Sequence, residues 1–380
     1  MLNRRTVLAA GLAAPLLPRM SRAQGRRLVN SIAVEDNRVW IAARIGADPK
    51  PRYFVIDTGA NVSLILDPVA RQLGMKEIGK SDLLGVGGVS RFPYYNGGEL
   101  TFASGLRVPN MLFAGTDARL GRDASGALSA GLFTSYDSDL DFVKGEWRAY
   151  PDGRSEFAGL QRLKSRFVGD RQRGLRIVSD ASLGAYQGEF LLDTGAPGQV
   201  VIEGRAAEKS GLWRDDRPYA PAQGSGIGRG RVKRRIVRGD ALKMSGVTFA
   251  RPLVSVSAPG TPGHDGDGFI GLGILEQLHL TTEIKAATLW IAPNNRPAPP
   301  ERYAMSGLWF DRDGDNITIG DVGTGSPAAA AGLKVGDRVS SVIWEELLRR
   351  NSQPAGSEMA LRVVSGGKGR DVVLKLAAYL

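Results

Sequence analysis

The sequence predicts a mainly β fold made of two similar lobes, followed by a small α+β domain at the C-terminal end. Three observations predict it: an internal repeat, short apolar runs that end at turn residues, and a high glycine content. Glycine accounts for 50 of the 380 residues, which suits many short strands joined by tight turns better than long helices. The length exceeds one typical domain, so we expect two or three units, each with its own core.

The repeat is clearest in two segments of equal length. Residues 52–60 have the sequence RYFVIDTGA, and residues 188–196 have the sequence GEFLLDTGA. Each segment predicts an apolar strand that ends in an aspartate, then a turn with glycine, then a second apolar strand. Turn chemistry alone hardly explains an acid at the same point of both copies. Asp57 and Asp193 are therefore predicted to share one site.

The similarity continues downstream of each aspartate. Residues 127–133 (ALSAGLF) correspond to residues 269–275 (FIGLGIL), and both copies continue into an extended–turn–extended pattern. These matches predict two homologous lobes, residues 27–152 and residues 153–298. Each copy also contains a glycine-rich hairpin tip between its aspartate and its apolar-glycine segment. The tip glycines are Gly85, Gly87 and Gly88 in the first lobe and Gly224, Gly226 and Gly228 in the second.

The paired D-T-G-A motifs resemble those of retropepsin-like and pepsin-like aspartic proteases, and the resemblance covers about residues 27–298. It implies a bilobal β-barrel fold, an endopeptidase that cuts extended peptides between its lobes, and glycine-rich hairpins that act as flaps. It also implies a monomer that needs neither cofactor nor metal, with Asp57 and Asp193 as catalytic residues. The residues implied to support the two active-site loops are Thr58, Gly59, Ala60, Thr194, Gly195 and Ala196.

The chemistry explains why two acids are needed. Carboxylates a few ångströms apart cannot both ionise easily, so they share a proton and one serves as base while the other serves as acid. Ala60 and Ala196 stand where pepsin-like relatives often carry a hydroxyl residue, so we expect a less acidic activity optimum. Ser129 stands at the place of Gly271. This departure from the family pattern predicts altered loop packing or weakened activity.

Residues 293–300 have the composition of a stiff linker, and a third unit is predicted over residues 303–380. The segment 317–339 (ITIGDVGTGSPAAAAGLKVGDRV) resembles PDZ domains. That resemblance implies binding of peptide C-termini at Gly307, Leu308, Trp309 and Phe310, with the peptide added as a strand. Two alternatives stay open: an edge without ligand whose Trp309 fills the core, and a module that only packs against the lobes.

The first 23 residues predict an export signal, with Arg4 and Arg5 before an apolar run and a small residue, Ala23, at the cleavage site. The pair resembles the twin-arginine signal, although Val7 stands where that family usually has phenylalanine. The apolar run is short for a membrane anchor. We therefore expect a periplasmic or secreted protein without a membrane span, and the absence of cysteine agrees with this expectation.

The formal net charge is +11, of which four charges belong to arginines of the predicted signal, so the mature chain would carry +7. This excess does not imply a nucleic-acid partner. Much of it lies in the basic run 229–238, which predicts a solvated, mobile hairpin or, alternatively, a surface for acidic peptides or anionic surfaces. With two histidines and no cysteine, neither a histidine-rich metal site nor a serine or cysteine triad is predicted.

Three hypotheses for the whole chain follow. The first is an exported aspartic endopeptidase whose C-terminal module recruits polypeptide substrates. The second is a peptide-binding or sensor protein of the same fold with a vestigial dyad, for which Ser129 and the glycine-rich flaps would be the clues. The third is a protease that acts on one dedicated partner.

Overall fold

A computed structural model describes residues 25–170, 174–224, 226, 230–261 and 266–380. The predicted signal, the hairpin residue Gly228 and the first arginine of the basic run, Arg229, lie outside the described residues. Within the described ranges, no helix is both long enough and apolar enough to cross a membrane.

Lobe 1 contains ten strands and two short helices within the described residues. Its central strand, Arg52–Asp57, has three consecutive buried residues, Phe54, Val55 and Ile56. They are buried because other strands flank this strand and both of its faces are covered. The elements are β1 (Leu28–Glu35), β2 (Arg38–Ile45), β3 (Arg52–Asp57), β4 (Ser63–Leu66), α1 (Asp67–Gln72), β5 (Lys76–Gly85), β6 (Gly88–Phe102), β7 (Arg107–Thr116), β8 (Ala124–Ser129), α2 (Gly131–Thr134), β9 (Asp137–Asp141) and β10 (Glu146–Tyr150).

Lobe 2 repeats this series with additional short strands. Its elements are β11 (Gln161–Arg162), β12 (Ser165–Asp170), β13 (Gly174–Leu183), β14 (Tyr186–Asp193), β15 (Val200–Ile202), α3 (Gly204–Lys209), β16 (Ala220–Gly224), β17 (Val232–Arg238), β18 (Leu242–Met244), β19 (Val247–Phe249), β20 (Leu253–Ser257), β21 (Gly268–Gly271), α4 (Leu272–Leu275), β22 (Leu278–Glu283) and β23 (Thr288–Pro293).

The two lobes share one strand arrangement. In lobe 1, β3 runs parallel to β8, β8 pairs antiparallel with β4, and β4 runs parallel to β7. In lobe 2, β14, β21, β15 and β20 pair in the same order and with the same directions. Each aspartate-bearing strand therefore lies beside the strand of its apolar-glycine segment. The predicted mainly β architecture with two similar lobes is confirmed.

One continuous antiparallel sheet joins the lobes. Its strands are ordered β11, β23, β22, β9, β10 and β1, and the lobes meet where β22 pairs with β9. Asp139 on β9 is almost fully buried and accepts hydrogen bonds from Thr281 of lobe 2 (2.8 Å) and from Arg148 (3.3 Å). Burial favours its neutral form, but hydrogen bonding from His279 and the charge of Arg154 hold the pKa of Asp139 well below its usual range.

The C-terminal module, residues 303–380, has a separate five-stranded sheet and its own core. Leu308 and Phe310 point into that core, whereas Trp309 between them is only half-buried, as the alternation of a strand requires. Trp309 therefore does not fill the core. The module's elements are β24 (Leu308–Asp313), β25 (Asn316–Val322), α5 (Pro327–Ala330), β26 (Arg338–Ser340), α6 (Trp344–Asn351), β27 (Glu358–Ser365) and β28 (Lys368–Lys375).

The expectation of a solvated, mobile hairpin at the basic run is wrong for its described part. Most of that part is the regular strand β17, and its arginines have defined acidic partners. Arg234 is buried and pairs with the buried Glu203. Arg235 donates to Asp215 (2.8 Å), and Arg238 donates to Glu301 (2.7 Å). Because each guanidinium needs a partner when it leaves water, these arginines tie the strand to its surroundings.

Candidate active site

The two aspartates of the repeat come together where the lobes meet. Asp57 ends β3 and Asp193 ends β14, and their carboxyl groups are within hydrogen-bonding reach of each other. Both side chains are partly buried. The structure thus brings into one site two acids that are separated by more than a hundred residues in the sequence.

Backbone amides hold each carboxylate in the same way. Oδ1 of Asp57 accepts from the amides of Gly59 (3.1 Å) and Ala60 (3.0 Å). Oδ1 of Asp193 accepts from the amides of Gly195 (2.8 Å) and Ala196 (3.1 Å). Hydrogen bonds donated to a carboxylate favour its charged form. One oxygen of each acid is therefore fixed, and the other is left for a shared proton or a bound water.

The glycines of the motifs are required by close approach across the lobe interface. A Cβ on Gly59 would overlap the carboxylate of Asp193, and a Cβ on Gly195 would overlap the carboxylate of Asp57. Any side chain at either position would push the two acids apart. The D-T-G spacing therefore lets each active-site loop lie directly against the opposite aspartate.

The two threonines form a reciprocal set of hydrogen bonds under the aspartates. The hydroxyl of Thr58 donates to the carbonyl of Leu192 (2.8 Å) and accepts from the amide of Thr194 (3.0 Å). The hydroxyl of Thr194 donates to the carbonyl of Ile56 (2.7 Å) and accepts from the amide of Thr58 (3.1 Å). Both side chains are buried. The pair fixes the two loops relative to each other because any shift would leave buried polar groups unsatisfied.

Burial shifts both pKa values of the dyad upward. It raises the pKa of Asp57, although hydrogen bonding from the amides of Ala60 and Gly59 and from Asp193 opposes the shift. Burial and the neighbouring charge of Asp57 raise the pKa of Asp193 to about 8. The dyad therefore keeps one proton over a wide range, and it titrates as a coupled pair. A singly protonated pair has one general base and one general acid in contact, which is what water-mediated hydrolysis needs.

Ser129 is accommodated by a local difference between the lobes. It lies beside Asp57 in the parallel pairing of β3 with β8, as Gly271 lies beside Asp193. A Cβ on Gly271 would overlap the carbonyl of Gly198. In lobe 1 the hydroxyl of Ser63 instead donates to Ser129 Oγ (3.2 Å) and accepts from the Ser129 amide (3.1 Å). The expected change in loop packing is thus visible as a buried serine pair, and the Asp57 loop keeps the same amide contacts as the Asp193 loop.

The described tip glycines belong to two hairpins, one in each lobe. Gly85 and Gly88 close the lobe-1 hairpin (β5 and β6), and Gly224 ends the first strand of the lobe-2 hairpin (β16 and β17). The carbonyl of Gly87 accepts from the amide of Gly230 (2.8 Å). The two hairpins therefore touch near their tips. Gly226 lies beside Val86, also at this contact.

A cavity of about 520 Å³ opens beside the Asp57 loop and was not expected from the sequence. Its lining includes Asn61 and Ser129 of lobe 1 and Gly174 of lobe 2. Its apolar lining comes from elements far apart in the sequence, so only the folded chain assembles it. The apolar residues in its wall include Val62, Ile78, Val108, Met111, Leu112 and Leu132.

The four module residues that were predicted to bind peptide lie at and just before the start of β24, the edge strand of the module sheet. Polar atoms near them already have partners in the chain. The amide of Leu308 donates to Ser306 Oγ (3.0 Å), and its carbonyl accepts from Asn351 at the end of α6 (3.2 Å). Within the described residues, no group of three or more metal-binding side chains is found.

Comparisons with known proteins give one kind of match. No family model and no curated protein matches the chain. Among solved structures, it is similar to an aspartic proteinase from Irpex lacteus, at 12% sequence identity and a TM-score of 0.44. The match covers 71% of this chain and 98% of that proteinase.

Proposed function

We propose that the chain is an exported aspartic endopeptidase in which Asp57 and Asp193 activate a water molecule for attack on a peptide bond. The observation that carries the proposal is the dyad itself: two acids in contact, each held by two amides and braced by the threonine pair. Two symmetric carboxylates with raised pKa values at a lobe interface have no evident structural use. They match the requirements of acid–base hydrolysis.

The proposed mechanism uses these residues alone. The charged aspartate takes a proton from water as it attacks the scissile carbonyl, and the protonated aspartate donates to the developing oxyanion. The newly protonated aspartate then gives its proton to the leaving nitrogen as the C–N bond breaks. The other aspartate takes a proton back from a hydroxyl of the tetrahedral intermediate, so the dyad is again singly protonated. Because the two acids titrate as a coupled pair, they share one proton in the resting state.

The substrate would be an extended polypeptide lying between the lobes and beneath the two hairpins. The 520 Å³ cavity next to the Asp57 loop is large enough for a bulky side chain, and its apolar wall favours leucine, phenylalanine or a similar residue. Export to the periplasm or the exterior is proposed from the N-terminal sequence. Substrates would then be exported or extracellular polypeptides.

The pH profile tests the dyad proposal. We expect cleavage to peak between mildly acid and neutral pH, because activity requires the dyad to hold one proton. Uptake of a second proton sets the acid limb and loss of the shared proton sets the alkaline limb, and burial raises the pKa of both acids. Steady-state kcat/KM over pH 3–10 measures both limbs. Serine at positions 60 and 196 should shift the acid limb downward, and an optimum near that of digestive pepsins in the unaltered chain would contradict the assignment.

We also propose a second function, binding of peptide C-termini by the PDZ-like module. The position of β24 at the edge of the module sheet favours it, since an extended peptide can add to an edge strand. The incoming carboxylate would have to compete with Ser306 for the Leu308 amide.

Calorimetric titration of the full chain, carrying Asp57→Asn to prevent cleavage, tests this second function. Matched free-acid and amidated peptides should differ, and the free acid should bind at least about tenfold more tightly, because only it carries the terminal charge. Equal affinities would eliminate carboxylate recognition. The module would then serve only through its contacts with the lobes.

A further inference from the structure

The C-terminal module packs directly against the beginning of the lobe-2 hairpin. The amide of Tyr219, one residue before β16, donates to the carbonyl of Thr324 in the module (3.3 Å). The carbonyl of Tyr219 accepts from the hydroxyl of Tyr379, also in the module (3.1 Å). A Cβ on Gly323 would overlap that same carbonyl. The two backbones are therefore too close for any side chain between them.

Asp321 is the polar centre of this contact. It lies on β25 of the module and is 7% exposed. Its carboxylate accepts from the hydroxyl of Tyr219 (2.9 Å) and pairs with the ammonium of Lys233 on β17 (2.9 Å). One buried acid of the module thus contacts both sides of the lobe-2 hairpin. Its partners are Lys233 on β17 and Tyr219, the residue immediately before β16. A buried carboxylate with two such partners is costly to leave unpaired.

Aromatic and cationic groups complete the interface on the lobe side. The guanidinium of Arg235 on β17 stacks over the rings of Tyr219 (4.0 Å) and Trp213 (4.3 Å). It also donates to Asp215, whose carbonyl accepts from Thr324 of the module (3.0 Å). Burial and the Asp321 carboxylate raise the pKa of Tyr219 to about 12. The tyrosine therefore stays a hydrogen-bond donor over the working pH range.

The contact is connected to the lobe-1 hairpin through the lobe-2 hairpin. Strand β16 pairs with β17 along the whole length of β16, from Ala220 opposite Ile236 to Gly224 opposite Val232. Beyond them, the amide of Gly230 reaches the lobe-1 hairpin at Gly87. A change at Tyr219 or Lys233 therefore acts on the strand pair whose far end meets the opposite hairpin.

We infer that the module positions the lobe-2 hairpin for substrate binding, with Asp321, Tyr219 and Lys233 as the positioning residues. The module is then a working part of the cleft as well as a candidate recruiting domain. Removing the contact should loosen the hairpin and weaken binding of extended peptides, while the acid–base chemistry of the dyad stays intact. The kinetic part of this inference rests on the proposed peptidase function, and the structural part does not.

The experiment compares hydrogen exchange and kinetics in the full chain. Tyr219→Phe and Asp321→Asn each weaken the charge-assisted hydrogen bond and should raise amide exchange in Val232–Arg238 about tenfold or more. Lys233→Met should raise it only about two- to fivefold, because its side chain is 57% exposed. Lys233→Arg keeps the ion pair and should keep amide exchange in this strand near that of the unaltered chain.

In Tyr219→Phe and Asp321→Asn, KM for long peptides should rise several-fold, with kcat and the pH limbs unchanged.

The matched control is Asp371→Asn, which removes an exposed ion pair with Arg362 elsewhere on the module. Exchange in β17 that is unchanged in Tyr219→Phe and Asp321→Asn, or raised equally in the control, overturns the inference. These exchange results count whether or not the unaltered chain cleaves peptides. Absence of cleavage would refute the peptidase proposal alone, whereas raised exchange with an unchanged KM would overturn the positioning role.

Discussion

Asp57→Asn and Asp193→Asn are each expected to lower kcat/KM for peptide cleavage by roughly 10²- to 10⁴-fold, the usual contribution of a positioned general acid or base. An asparagine can neither exchange the shared proton nor accept one from water. The two variants should lose similar amounts, because the acids act as one unit. Asp216→Asn is the matched control, since Asp216 is an exposed acid that pairs with Arg214.

The same variants have a predicted effect on stability with a defined sign. The pKa of Asp193 is raised in the folded chain. Its contribution to folding stability is therefore fully present below its pKa in the unfolded chain, about 4, and is lost as the pH rises through about 8. Asparagine cannot ionise. We therefore expect the thermal midpoint of Asp193→Asn to fall less between pH 6 and pH 9 than that of the unaltered chain.

Near-normal turnover in either dyad variant would contradict the site assignment.

The threonine pair should give the second largest effect. Thr58→Val removes a hydroxyl that donates to Leu192 and accepts from Thr194 across the lobe interface. Two buried backbone groups then lose their partner, so we expect a loss of about 2–6 kcal/mol in the free energy of unfolding, at about 1–3 kcal/mol per group. Activity should fall by about 10²-fold, because a shift of about 1 Å misaligns the two acids.

Thr58→Ser is the control, because it keeps the hydroxyl and removes only a methyl group. Urea unfolding and kcat/KM for one short peptide measure both effects in the two variants. If Thr58→Val matched Thr58→Ser in the free energy of unfolding and in kcat/KM, the hydrogen bonds between the loops would contribute neither to stability nor to activity.

The sequence was most informative where a local pattern repeats. Apolar strands that end in D-T-G, followed by apolar-glycine segments, were enough to predict a mainly β fold with two similar lobes. They also singled out Asp57 and Asp193 as partners. The repeat is informative because the fold uses the same local arrangement twice. In each lobe the glycine of the D-T-G motif lies against the carboxylate of the other lobe's aspartate.

The contacts between distant segments were not predictable in this way. The basic run looked like a solvated hairpin because its acidic partners, such as Glu203 and Glu301, lie tens of residues away in the sequence. Asp321 gave no signal either, since its partners belong to lobe 2. Spacing along the chain reports local periodicity and says nothing about which buried acid meets which arginine. The apolar cavity was missed for the same reason.

Direct incubation with a polypeptide tests whether the carboxylate dyad hydrolyses peptide bonds. The purified mature chain is incubated with an unfolded protein at pH 5–7, with and without a statine-type mimic of the tetrahedral transition state, and new termini are identified by mass spectrometry. We expect internal cleavage that the mimic blocks and that Asp57→Asn slows by at least about 10²-fold. Absence of cleavage by the unaltered chain, or cleavage by Asp57→Asn at a similar rate, would contradict the dyad assignment.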